Sequence, residues 1–150
     1  MKNFRFSLQS VATLRSLKEL RARENLAASI RAIEQAFLAH AQAWTHQEEL
    51  EQMLRAGSSS RIRAGEQVAF LGALGVANLA ETAARQALTD AGTRRDRRVT
   101  EYHEAARDLK AMAKLETKAR NKHRLAVDRE AQNALDERAG AAARVASNLS

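Results

Sequence analysis

Apolar residues recur along this chain in steps of three and four. Leu26, Ile30, Ile33, Phe37, His40 and Trp44 follow one another at intervals of 4, 3, 4, 3 and 4. That alternation keeps side chains on one stripe of a helix and is the pattern of a coiled coil. Gln47, Glu51 and Leu54 continue the register with weaker residues. The pattern predicts a first helix over about 4–56, a length of roughly 75 Å at 1.5 Å per residue. Upstream, Leu8, Val11, Leu14, Leu17 and Leu20 step by 3. A three-residue step drifts around the helix, so these first turns present a different face.

The clearest break is Gly57-Ser58-Ser59-Ser60. Glycine suits the left-handed position past a helix end, and serine is a good N-cap for the next helix. Helical flanks favour a turn here over a flexible linker. A short apolar helix is expected over about 62–88, and within it Val68–Ala80 (VAFLGALGVANLA) is richer in apolar residues than a solvated helix should be. Gly72 and Gly75 weaken it, each by up to about 1 kcal/mol relative to alanine. Thr89-Asp90-Ala91-Gly92-Thr93 is a second weak point, a kink or a boundary before a long helix of about 93–139. Val99, Tyr102, Ala106, Leu109 and Ala113 step by 3, 4, 3 and 4. This second stripe is expected to face the Leu26–Trp44 stripe. Gly140 is the expected helix end, and 140–150 a frayed tail.

Composition sharpens this picture. The 150 residues contain no proline, which would break a helix interior. Alanine, leucine, arginine, glutamate and glutamine are abundant, and these are strong helix formers. Aromatics make up only 4% of the chain, too few for a globular core. The expected fold is therefore all-α: a long antiparallel two-helix coiled-coil hairpin forming a single domain over 1–150, with a short helix after the turn. A two-helix rod has little interior, which points to a partner. The longest apolar run, Val68–Ala80, is 13 residues, short of the roughly 20 needed to cross a bilayer. Met1–Ser10 has no apolar signal-peptide core. A soluble protein is expected, and the absence of cysteine fits a cytoplasmic one.

No catalytic arrangement stands out. His40, His46, His103 and His123 include no pair four apart, the helical zinc spacing. His40 lies in the predicted seam, where a polar residue sets register. No Gly-Lys-Ser/Thr follows Gly72 and Gly75, and no nearby base activates Ser58–Ser60. No enzyme, cofactor or metal is expected. The net charge is +7, which favours acidic partners. Arg94, Arg95, Arg97 and Arg98 surround Asp96. Lys110, Lys114, Lys118, Arg120, Lys122 and Arg124 accompany a single acid, Glu116. These runs read either as solvated faces or as docking surfaces for acidic groups. The basic positions read as spread around the helix, with little aromatic interleaving for base stacking. Nucleic acid is therefore the alternative partner, not the expected one. Phe70, Leu74 and Ala77 share one helical face. They either pack on the hairpin or, with Leu71, Val76 and Leu79 pointing elsewhere, belong to a protein-docking patch.

The opening Met1-Lys2-Asn3-Phe4-Arg5-Phe6-Ser7-Leu8-Gln9-Ser10-Val11, with Leu14-Arg15, Glu19 and Leu26-Ala27, resembles the start of the flagellar export protein FliJ family. Leu135-Asp136-Glu137-Arg138-Ala139 resembles that family's terminal Leu-Asp-Glu-x-Ala. Between them, a Gly-Ser turn, a short apolar helix and a long basic helix follow in the family's order. The resemblance implies an antiparallel coiled coil similar to the central stalk, the gamma subunit, of rotary ATPases. It also implies a cytoplasmic protein held peripherally, through its partners, at the inner membrane. Those partners would be the hexameric flagellar export ATPase, the cytoplasmic domain of the export-gate membrane protein and substrate-specific export chaperones. By the same resemblance Phe70, Leu74 and Ala77 would dock the gate, with Glu81 standing where the family has another polar residue. The ATPase-facing end would comprise Phe4, Phe6, Arg15, Lys118, Arg120, Lys122, Arg124, Asp136 and Glu137.

Overall fold

A computed structural model describes residues 3–58 and 63–148. They form two α-helices, α1 (Gln9–Gly57) and α2 (Ala64–Asn148), and no strand occurs among the described residues. The two long helices pack against each other as an all-α helical hairpin. The molecule divides into two compact units. Unit 1 comprises 1–19 with 105–150, and unit 2 comprises 20–104.

In unit 2 the segments of α1 and α2 run antiparallel. His40 donates from Nε2 to Glu81 Oε1 at 3.0 Å, and Leu50 lines one notch with Phe70 and Ala73. Covered positions on α1 recur as Ala22, Leu26, Ser29, Ile33, Ala36, His40, Ala43, Gln47, Leu50 and Leu54. Their partners on α2 are Phe70, Leu74, Ala77, Glu81, Ala84, Leu88 and Ala91. Both series keep a strict alternation of three and four, so the coiled-coil seam is real.

The seam nevertheless differs from the expected one at four of nine positions. Leu26, Ile33, His40, Gln47 and Leu54 line it, but Leu50 takes the place expected for Glu51, and Ser29, Ala36 and Ala43 the places expected for Ile30, Phe37 and Trp44. Those three bulky side chains point outward, 44%, 59% and 54% exposed. Small residues let the two backbones approach closely, and the wide side chains are left to flank the contact. The expected pairing of Leu26–Trp44 with Val99–Ala113 is also corrected. His40 meets Glu81, because in an antiparallel pair residues equidistant from the reversal face each other.

The expected boundary at Thr89–Thr93 is absent, and α2 is continuous from Ala64 to Asn148. The Thr89 hydroxyl donates to the Arg85 carbonyl at 3.1 Å, and that of Thr93 to the Thr89 carbonyl at 3.2 Å. Gln86 donates to the Asp90 carboxylate at 2.9 Å. The groups that favour a turn are thus satisfied within the helix, and Gly92 does not adopt positive φ. A lone helical glycine costs about 1 kcal/mol, too little to end a helix that proline does not interrupt. Gly140 is likewise internal. Ala141–Ala143 extend the helix, and Arg144 donates to the Gly140 carbonyl at 3.2 Å.

At the reversal, Gly57 is the last residue of α1 and Ser58 a turn residue. The Ser58 hydroxyl donates back to the Arg55 carbonyl at 2.7 Å, closing α1 and not capping α2. Ser59 and Ser60, also expected as caps, lie outside the described residues. Glu66 and Gln67 donate backbone N–H groups to the Arg63 carbonyl.

In unit 1 the seam is more polar. Ala12, Arg15 and the buried Glu19 cover α1's inner side, with Ala105, Leu109, Met112, Glu116 and Ala119 on α2. Arg15 donates to the Asp108 carboxylate. Leu8, Val11, Leu14 and Leu17 are exposed.

Candidate docking surfaces

Among the described residues the buried apolar side chains are Ala77, Ala91 and Met112, so nearly every larger apolar residue borders solvent. Among them no histidine–carboxylate group is arranged to hold a metal, and no helix is long and apolar enough to cross a membrane.

The first surface lies on α2 in unit 2, beside the reversal. Phe70 and Leu74 are half-buried against α1, and Ala77 is 3% exposed. These three expected gate-docking residues are seam residues, recurring at 70, 74 and 77 like the rest of the α2 seam. Phe70 keeps one open edge, in a shallow notch shared with Leu50, Glu66, Ala69 and Ala73. The apolar side chains that face solvent on this segment are Val68, Leu71, Val76 and Leu79, the last two 68% and 74% exposed. No heavy atom lies within 4 Å of a Cβ built at Gly72 or Gly75, so the surface between them is open.

The second surface is cationic and belongs to unit 1. Arg107, Lys110, Lys114, Lys118 and Lys122 are exposed on α2. At 3.6 residues per turn they fall within an arc of about 120°, opposite the seam. Of the six basic residues read from the sequence as spread around the helix, Lys110, Lys114, Lys118 and Lys122 share this face, while Arg120 and Arg124 lie outside it. None has an ion-pair partner among the described residues. The acids of this stretch, Asp108 and Glu116, lie toward the other side and pair with Arg15 and Arg120. Lys110, Lys114 and Lys118 also border one shallow depression with Ala113, Thr117 and Asn121.

The remaining ATPase-facing residues divide in two. Phe4 is held, its ring 5.5 Å from that of His123 in an edge-on contact, with the Arg120 guanidinium 5.4 Å above it. Arg120 also donates to Glu116 at 2.7 Å. Phe6 and Arg15 are half-buried. Lys118, Lys122, Arg124, Asp136 and Glu137 are exposed, with Asp136 accepting from Gln132 at 3.1 Å.

The third surface was not legible as a site in the sequence. It is the outward row of Ile30, Phe37 and Trp44 on α1. The signal was present as seven-residue spacing, but that spacing equally described a seam.

Fold and surfaces together define a two-helix coiled-coil hairpin with exposed apolar and cationic faces. Comparison of the sequence with known families is specific: the family model described as FliJ, Flagellar FliJ protein, matches residues 4–148, so the chain belongs to the FliJ family. It is accordingly a component of flagellar type III protein export, in a family that is non-catalytic. No match was found among curated proteins or among solved structures.

Proposed function

We propose that this chain is a stalk and adaptor that binds and stimulates the flagellar export ATPase ring, couples it to the export gate and assists substrate chaperones. The observation that carries this reading is the chemical difference between the two units. Unit 1 presents an acid-free row of cations opposite its seam, and unit 2 presents exposed apolar side chains beside the reversal. A cationic row suits an acidic channel wall, and an apolar patch suits a protein partner's apolar segment. Residues Phe4, Arg15 and Arg120 act here by holding the end of the hairpin together, and Lys110, Lys114, Lys118 and Lys122 meet the ring. Gate docking falls to Val68, Leu71, Val76 and Leu79, since Phe70, Leu74 and Ala77 are used by the seam. In this reading the chain works in the cytoplasm and reaches the inner membrane through its partners.

The test is ATP hydrolysis by the cognate export ATPase with and without the purified chain. Stimulation is expected, and its absence together with absence of binding overturns the proposal. The alignment of five cations on one face supports a second reading, a nucleic-acid-binding coiled coil. It predicts an affinity that falls steeply with salt, in proportion to the phosphates contacted. A salt-titrated shift assay with DNA and RNA separates the two.

A further inference from the structure

The outward row of α1 in unit 2 is its own complement. Arg23, Ile30, Phe37, Trp44 and Glu51 recur every seven residues along one side of the helix. A row at this interval is what a second helix follows in a left-handed supercoil. The row places a cation at one end, an anion at the other and three large apolar side chains between. Ile30, Phe37 and Trp44 are all exposed, although they are among the largest side chains of α1. From Arg23 to Glu51 the row is roughly 42 Å long.

We infer that this row pairs with the same row of a second copy of the chain, antiparallel, about a two-fold axis at Phe37. In that alignment Phe37 meets the partner's Phe37. Ile30 lies opposite the partner's Trp44, and Arg23 opposite the partner's Glu51, each contact occurring twice. An isologous interface requires this kind of self-complementarity. A parallel alignment would set Arg23 against Arg23 and Glu51 against Glu51, which is repulsive. Aromatic side chains at the centre and charges at the edges match the anatomy of a protein interface. Glu34 and Glu48, one turn beyond the apolar positions, remain on the rim. Glu51 already accepts from Gln47 at 3.3 Å and from Arg55 at 3.2 Å, so its carboxylate is held at the end of the row.

The absence of native cysteine makes the geometry directly testable in the full chain. Single Phe37→Cys, Ile30→Cys and Trp44→Cys variants are purified and mildly oxidised, with helicity checked by circular dichroism. Phe37→Cys is expected to cross-link to itself. Ile30→Cys and Trp44→Cys are expected to cross-link only when mixed with each other. Self-cross-linking of Ile30→Cys as efficient as that of Phe37→Cys signals a parallel pairing and overturns the inference. Sedimentation equilibrium of the unmodified chain is expected to show a monomer–dimer equilibrium. A chain that stays monomeric at every accessible concentration overturns it too, and leaves the row to a different protein. Arg23→Glu should weaken the dimer by about tenfold, through two surface ion pairs. Adding Glu51→Arg should restore it. Dimerisation is read on the chain alone and ATPase stimulation with the ring, so either reading can fail without the other.

Discussion

His40 and Glu81 sit inside a seam made mostly of alanine, leucine and isoleucine. Their side chains are 25% and 13% exposed. A slip of α1 against α2 by one turn would separate them and bury each without a partner. The pair therefore selects one register, the role that a polar residue at a core position has in coiled coils. Truncating one member strands the other. His40→Leu should cost about 1–3 kcal/mol, the penalty for a buried polar group that loses its partner. Denaturant melting of His40→Leu and of the double variant with Glu81→Leu measures this. The double variant should recover most of the loss while permitting more than one register. Arg15 with Asp108 plays the corresponding part in unit 1, at greater exposure and so with a smaller effect.

At the scale of elements, α2 is notable for what fails to interrupt it. Gly65, Gly72, Gly75, Gly92 and Gly140 all lie within one helix, and none has positive φ. Nothing lies within 4 Å of a Cβ built at Gly75. Gly75→Ala should thus raise stability by about 0.5–1 kcal/mol, read as a higher melting temperature. The same open segment carries the patch proposed for the export gate. Val76→Asp with Leu79→Asp should leave helicity unchanged, since both side chains are solvent-facing, while motility falls. Phe70→Asp with Leu74→Asp should instead unfold that part of the seam. Retained motility in the Val76/Leu79 variant, with normal protein levels, would remove the patch from the docking surface.

At the scale of the molecule, two units with different surfaces suit contacts with two different partners. The cationic row of unit 1 is the more easily tested. Replacing Lys110, Lys114 and Lys118 by Glu reverses its sign without touching the seam, because all three are exposed. ATPase stimulation should drop sharply and depend less on ionic strength, as expected when steering charges are removed. Equal stimulation by the variant would assign ring contact to other residues, such as the exposed Leu8, Val11, Leu14 and Leu17.

Helix content, two-helix topology and family were legible in the amino-acid order alone. The absence of proline, the abundance of helix formers and the three–four spacing each act locally, over one or two turns, so they need no knowledge of the partner helix. The drift of Leu8–Leu20 around the helix was legible in the same way, but their exposure was not. The choice of stripe was a different matter. On α1, Leu26, Ile33 and His40 belong equally to a series through Ile30, Phe37 and Trp44 and to one through Ser29, Ala36 and Ala43. Hydrophobicity favours the first series, and the close approach of two backbones favours the second. Only packing against α2 decided between them. That decision moved Phe70, Leu74 and Ala77 into the seam and turned Ile30, Phe37 and Trp44 outward. Likewise the spacing of the α2 lysines puts them on one face by itself, but only the seam decided that this face is the uncovered one.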